Sequence, residues 1–236
     1  MGGGASVDWS DQMGMMGVER RQLQVILALD CSGSMRGDRI ASLNYALRTA
    51  LPELRGVAED NPEVDVRVRV LRFATGASWI FPDALPVADL RWTDLTADGE
   101  TDMGAALVLL AEALGGAGMT GRQLPPVVVI ASDGHPTDDF EAGLAVFFAS
   151  EHADAAIRIA IAIGTDADLE VLERFIRHPR MKPLRANNAT ALVEHIKWAT
   201  TAPVKAASSP TNAPDPLAPL AQSRDQAEPD DSQLIW

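Results

Sequence analysis

The sequence predicts an α/β domain built on a doubly wound, mostly parallel central sheet with helices on both faces. Three observations predict it. Nearly continuous apolar runs at residues 23–30 (LQVILALD), 126–134 (PVVVIASDG) and 157–164 (IRIAIAIG) have the composition of strands buried on both faces. Between them lie stretches with apolar residues three and four apart, the spacing of a helix with one buried face. Strands and helices in alternation require parallel pairing through right-handed crossovers. This pattern covers residues 21–201, with no internal repeat.

The elements follow in order. Residues 1–20 are rich in Gly and Met and read as a flexible lead-in, in which Gly2 and Ser6 meet the loose myristoylation pattern. The fold opens with LQVILALD, and CSGSMRG then turns into a helix with Ile40, Leu43, Leu47, Leu51 and Leu54 along one face. Pro52 is expected to shorten or bend the end of that helix. Val64, Val66, Val68 and Val70 alternate with Asp65, Arg67 and Arg69, as in a strand with one wet face near a sheet edge. SWIF (78–81) reads as a short edge strand, and TDMGAALVLLAEALGG (101–116) as an apolar helix stopped by glycines. After PVVVIASDG come a helix in DDFEAGLAVFFAS, the strand IRIAIAIG, and a helix in DADLEVLERFI with Asp168 placed to cap it. MKPLRA and ATALVEHIKWAT supply a last short strand and helix. From residue 202 to 236 the chain turns to Pro, Ala and acidic residues, a composition expected to stay disordered, and closes on DDSQLIW, which reads as a short docking motif.

Composition narrows the function. Twenty basic and thirty-three acidic side chains leave a net charge of −13, which repels a phosphate backbone and an anionic lipid surface, so neither nucleic acid nor membrane is an expected partner. The single cysteine, Cys31, excludes an internal disulfide and a Cys-rich zinc site. With no secretory leader pattern and no apolar run long enough to span a bilayer, a cytoplasmic location is expected.

In an open α/β sheet, ligands sit beyond the carboxyl ends of the strands. Three such ends carry oxygen-bearing residues: Asp30, Ser32 and Ser34 in DCSGSM, Thr101 in GETDMGAAL, and Asp133 in ASDGHPTDD. Two carboxylates and three hydroxyls are hard donors suited to Mg²⁺ or Mn²⁺ and too weakly charged for a high-affinity Ca²⁺ cage. Such a set leaves a coordination position for an oxygen from a partner's Asp or Glu. Gly33, Met35, Glu100, Asp102 and His135 flank these ligands in sequence and are the candidate partner-contacting residues.

Asp-x-Ser-x-Ser at Asp30, Ser32 and Ser34, followed by Thr101 and Asp133 in strand order, resembles the metal-ion-dependent adhesion site of von Willebrand factor A (vWA) domains. The resemblance spans about 180 residues and implies a Rossmann-like vWA fold. LDCSGSM, SDGHPTDD, GTDADLEVLERF and IKWAT look like the bacterial TerY type within that superfamily. The resemblance implies Ser32, Ser34 and Thr101 as direct ligands, with Asp30 and Asp133 acting largely through waters. It also implies an adaptor in a tellurite-resistance or stress-response module, beside a serine/threonine kinase-like protein and a PP2C-type phosphatase. Cys31 departs mildly from the pattern, standing where Thr or another small residue is common.

An enzyme is the weaker expectation. An aspartyl nucleophile at Asp30 would want a second acid where Ser32 stands, and CSGSM lacks the nucleophile elbow of serine hydrolases. A vWA partner subunit for an AAA-type ATPase is the alternative adaptor reading. Cys31 reads as a small buried side chain, His135 as an ordinary loop residue, and Glu100, Asp102, Asp138 and Asp139 as a solvated acidic loop. Arg67, Arg69 and Arg72 read as ion pairs to the protein's own surface.

Overall fold

The computed structural model describes residues 20–115 and 123–207. The Gly2 and Ser6 myristoylation pattern, nearly all of the lead-in, and residues 208–236 with the DDSQLIW motif lie outside the described residues.

The first strand, β1 (Arg21–Asp30), is followed by a single 3-10 turn and the long helix α1 (Asp38–Glu59). Next come β2 (Val64–Ala74), β3 (Gly76–Trp79), β4 (Leu85–Pro86) and α2 (Met103–Gly115). The second half comprises β5 (Val127–Ser132), α3 (Phe140–Ala149), β6 (Ile157–Ile163), α4 (Leu169–Ile176), β7 (Leu184–Ala186) and α5 (Ala189–Ala207). Among the described residues seven strands form one sheet in the order β3-β2-β1-β5-β6-β7, with β4 also paired to β2. β1, β2, β5, β6 and β7 are mutually parallel, whereas β3 and β4 run antiparallel to β2. The doubly wound α/β sheet expected from the alternation is therefore the observed architecture.

Apolar content explains the order. Every residue of β5 and β6 is buried, and so are the last eight of β1, so these strands take the centre, where helices cover both faces. β2, with its alternating burial, lies one place further out and carries the antiparallel β3 and β4 on its outer side. The SWIF segment does contribute to the edge, although β3 begins at Gly76 and stops at Trp79.

Two ends differ from expectation. α1 runs unbroken through Pro52 to Glu59, because Leu51 and Leu54 on either side of the exposed proline are buried and anchor both halves. α5 extends six residues past the expected boundary at 201, taking Pro203 into the helix with Pro203 and Val204 buried. Arg21 Nη2 donates to the Ala207 carbonyl at 3.1 Å, supplying a donor to one of the end carbonyls that the helix leaves unsatisfied. A composition-based boundary misses this because packing overrides helix propensity. No helix among the described residues is long and apolar enough to cross a membrane.

Candidate functional site

The chain order reverses at β1, whose neighbours are β2 on one side and β5 on the other. The crevice beyond the carboxyl ends of β1 and β5 is thus the place where a doubly wound sheet accepts ligands. Leu29 pairs with Ala131, so Asp30 and Asp133 leave the two strands side by side, and both are fully buried.

Asp30 is held at both oxygens. Its Oδ1 accepts the Ser32 backbone N–H at 2.8 Å, and its Oδ2 accepts the Ser132 hydroxyl. The Ser132 oxygen in turn accepts the Gly134 N–H at 2.9 Å. Burial pushes the Asp30 carboxyl up from 3.8 to about 6; the bonds from Ser132 and Ser32 oppose the shift and the charge of Asp133 adds to it.

The hydroxyls come from two further segments. Ser32 is buried and Ser34 exposed, with their oxygens 2.9 Å apart. Thr101, only 5% exposed, precedes α2. Its N–H donates to Thr137 Oγ1 and its carbonyl accepts the Thr137 N–H, both at 2.9 Å. Gly33 N–H donates to the Gly99 carbonyl at 2.9 Å, and Asp98 N–H to the Cys31 carbonyl at 2.8 Å. With the Ser132–Asp30 bond these links close a ring: the loop after β1 is tied to the loop before α2, that loop to the one after β5, and the last back to β1. Gly134 takes φ +73, and a Cβ there would meet the Asp168 carbonyl at 2.6 Å, so the turn after Asp133 requires glycine.

Asp133 is less completely satisfied. Its Oδ2 lies 3.4 Å from Arg39 Nη1, which is a weak bond, and its buried Oδ1 meets no partner. Arg39 is also paired with Asp166. Two buried carboxylates with one guanidinium alongside leave uncompensated negative charge, and an unpaired carboxylate oxygen on a loop tied to those bearing the hydroxyls is a set that a hard divalent cation would satisfy. Among the described residues no three His, Cys, Asp or Glu side chains group as metal ligands, so a cation here would depend on Ser32, Ser34 and Thr101.

Several flanking residues serve other ends than those expected. Met35 is fully buried in the core, which closes its side chain to a partner. Asp102 Oδ2 accepts the Gly76 N–H at 2.6 Å and pins the β2–β3 turn. Asp138 caps α2 by accepting Gly104 N–H at 2.9 Å and Ala105 N–H at 2.8 Å, while Asp139 caps α3 through Ala142 N–H at 3.0 Å. Of the four acids read as a solvated loop, Asp102, Asp138 and Asp139 are therefore anchors and caps. Glu100 and His135 are exposed and Gly33 half-buried; His135 Nε2 lies 2.8 Å from the Asp166 carbonyl. Burial pushes the Cys31 thiol up to about 12, as suits a small buried side chain.

Sequence reasoning missed Ser132, Thr137 and Arg39. Ser132 and Thr137 had a signal, being the polar residues that bracket Asp133 in ASDGHPTDD. Arg39 had none, since its link to Asp133 crosses 94 positions.

Comparison with solved structures decides the fold. A von Willebrand factor type A protein from Catenulispora acidiphila superposes with a TM-score of 0.57 at 18% identity, over 77% of this chain and 42% of that one. The fold is that of a vWA domain. The pilus adhesin SpaC from Lactobacillus rhamnosus GG gives 0.63 at 11% identity over 80% of this chain and 30% of its own. The ArnB paralog VWA2 from Sulfolobus acidocaldarius gives 0.54 at 13% over 75% and 45%. The chain thus spans less than half the length of each of these proteins. No protein-family model and no curated protein matches the sequence.

Proposed function

We propose that this chain is a non-enzymatic adaptor whose Asp30, Ser32, Ser34, Thr101 and Asp133 hold Mg²⁺ or Mn²⁺ and engage a carboxylate of a partner protein there. The observation that carries the reading is the unpaired, buried Oδ1 of Asp133, on a loop tied by hydrogen bonds to the two loops that bear the hydroxyls. When bound, the cation supplies a positive charge with an open position for an outside oxygen. The chain's own part is positioning. Ser132 and the Ser32 N–H fix the Asp30 carboxylate, Thr137 fixes the backbone at Thr101, and Gly33 joins the first loop to the second. Exposed Ser34, Glu100 and His135 form the rim that a partner would meet. The high thiol pKa of Cys31 and the engagement of His135 Nε2 by a carbonyl argue for binding rather than covalent chemistry. The partners we infer from the TerY-like motifs are a serine/threonine kinase-like protein and a PP2C-type phosphatase in a bacterial stress or tellurite-resistance module, with a cytoplasmic location.

The test is calorimetric titration of Mn²⁺ and Mg²⁺ into the full chain and into Ser34→Ala and Thr101→Ala, followed by capture from lysate with Mg²⁺ or chelator. Saturable cation binding lost in both variants supports the site; equal binding in all three proteins overturns it. Cation-dependent capture of a kinase-like or phosphatase protein supports the module, and capture of an AAA-type ATPase in its place overturns that assignment in favour of an ATPase partner.

A further inference from the structure

A second polar site lies in the first half of β1, about 20 Å along the strand from Asp30, and does not depend on the cation reading. Gln22 and Gln24 on β1 and Arg67 and Arg69 on β2 share one face of the sheet, with Gln24 in register with Arg67. Together with Asp83 and Glu112 they line a cavity of about 310 Å³ beside α2. A helix packed on a sheet ordinarily covers apolar side chains; here it covers amides and guanidiniums.

Most of these groups have protein partners. Gln22 Oε1 accepts from Gln123 Nε2 at 2.6 Å, and Arg67 Nε donates to Asp65 at 2.9 Å. Arg69 donates through Nη2 to the Pro82 carbonyl and stacks on the Trp79 ring at 3.7 Å. Two groups are left over. Gln24 is 5% exposed and its Oε1 meets no donor, while the buried Nε–H of Arg69 meets no acceptor. The terminal amide torsion of glutamine is soft, so Gln24, which lines the cavity, can present Oε1 to it without backbone movement. A ligand matching both would bring an acceptor to Arg69 and a donor to Gln24. The guanidiniums oppose a simple cation, and the exposed carboxylates of Asp83 and Glu112 oppose a dianion such as phosphate. The cavity is at the small end for ligand sites.

We propose that this cavity binds a small zwitterion of the free α-amino-acid class, its carboxylate on Arg69 and its ammonium on Gln24 Oε1 with Glu112 and Asp83 near by. The test is calorimetric titration of the full chain with each of the proteinogenic L-amino acids, and with the deaminated and decarboxylated analogues of any that binds. At least one amino acid is expected to saturate, with both analogues at least ~10-fold weaker, and Gln24→Leu and Arg69→Met each at least ~10-fold weaker. Glu112→Gln, on the exposed surface of α2, keeps the fold and is expected to weaken binding ~3-fold or more. No saturation by any amino acid up to about 10 mM, an analogue as tight as the amino acid itself, or unchanged affinity in Glu112→Gln would each overturn the proposal; the last applies even if the buried variants fail to fold.

Discussion

The Ser132 hydroxyl donates to Asp30 Oδ2 across the junction of β1 and β5, while the Ser32 N–H donates to the other oxygen, Oδ1, at 2.8 Å. Asp30 is thereby oriented by a residue 102 positions away. Ser132→Ala removes one bond to a buried carboxylate and is expected to cost about 1–3 kcal/mol of stability. If Asp30 belongs to a cation site, Mn²⁺ affinity should fall roughly 10–100-fold, as for other residues that orient ligands. Urea unfolding and Mn²⁺ titration of the same variant separate the two effects.

Asp30 also sets a pH dependence. Its folded value of about 6 exceeds the ordinary 3.8, so the unfolded chain loses this proton more readily than the native one. The contribution to stability is fully present below 3.8 and is lost as pH rises through about 6. In chelator, the wild-type protein should lose up to about 3 kcal/mol relative to Asp30→Asn between pH 3.5 and 7.5. Unfolding curves for the two proteins at both pH values give that difference directly. A difference that stays constant with pH would refute it.

Cys31, 1% exposed with its thiol pushed from 9.0 to about 12, should be inert. The thiolate fraction falls about 10³-fold relative to an unperturbed thiol. Native protein is expected to react with a disulfide reagent at least that much more slowly than protein in denaturant. A fast native reaction, followed by absorbance, would contradict the burial.

α2 and α3 meet at two glycines. A Cβ on Gly104 would meet the Asp139 carbonyl at 2.5 Å, and one on Gly143 would press into the Gly104 backbone. Gly143→Ala should force the helices apart at a cost of about 1–3 kcal/mol. Because α2 begins just after Thr101, the proposed cation site should lose affinity along with the fall in melting temperature. Thermal melts and Mn²⁺ titration check both.

Strand and helix order followed from local pattern: LQVILALD, PVVVIASDG and IRIAIAIG were legible as buried strands because consecutive apolar residues cannot otherwise avoid water. The five oxygen-bearing residues proposed as ligands could be placed near the carboxyl edge of the sheet for a related reason, since each stands at the end of such a strand or the start of a helix. What was not legible depends on contacts between distant segments. The burial of Met35, the run of α1 through Pro52 and the extension of α5 to Ala207 are all settled by packing partners far off in the chain. So are the uses of Asp102 and Asp138, whose carboxylates look alike in sequence to any solvated acid until Gly76, Gly104 and Ala105 present their N–H groups.

Apolar periodicity and polar punctuation therefore specified which residues reach the carboxyl edge of the sheet, because both are properties of a few neighbouring positions. Folding determined how those residues are held: which oxygen of Asp30 answers to Ser132, which oxygen of Asp133 is left over, and why Gln24 and Arg69 meet beneath a helix. Hydrogen bonding is directional and short-ranged, so such pairings exist only once the strands are in register.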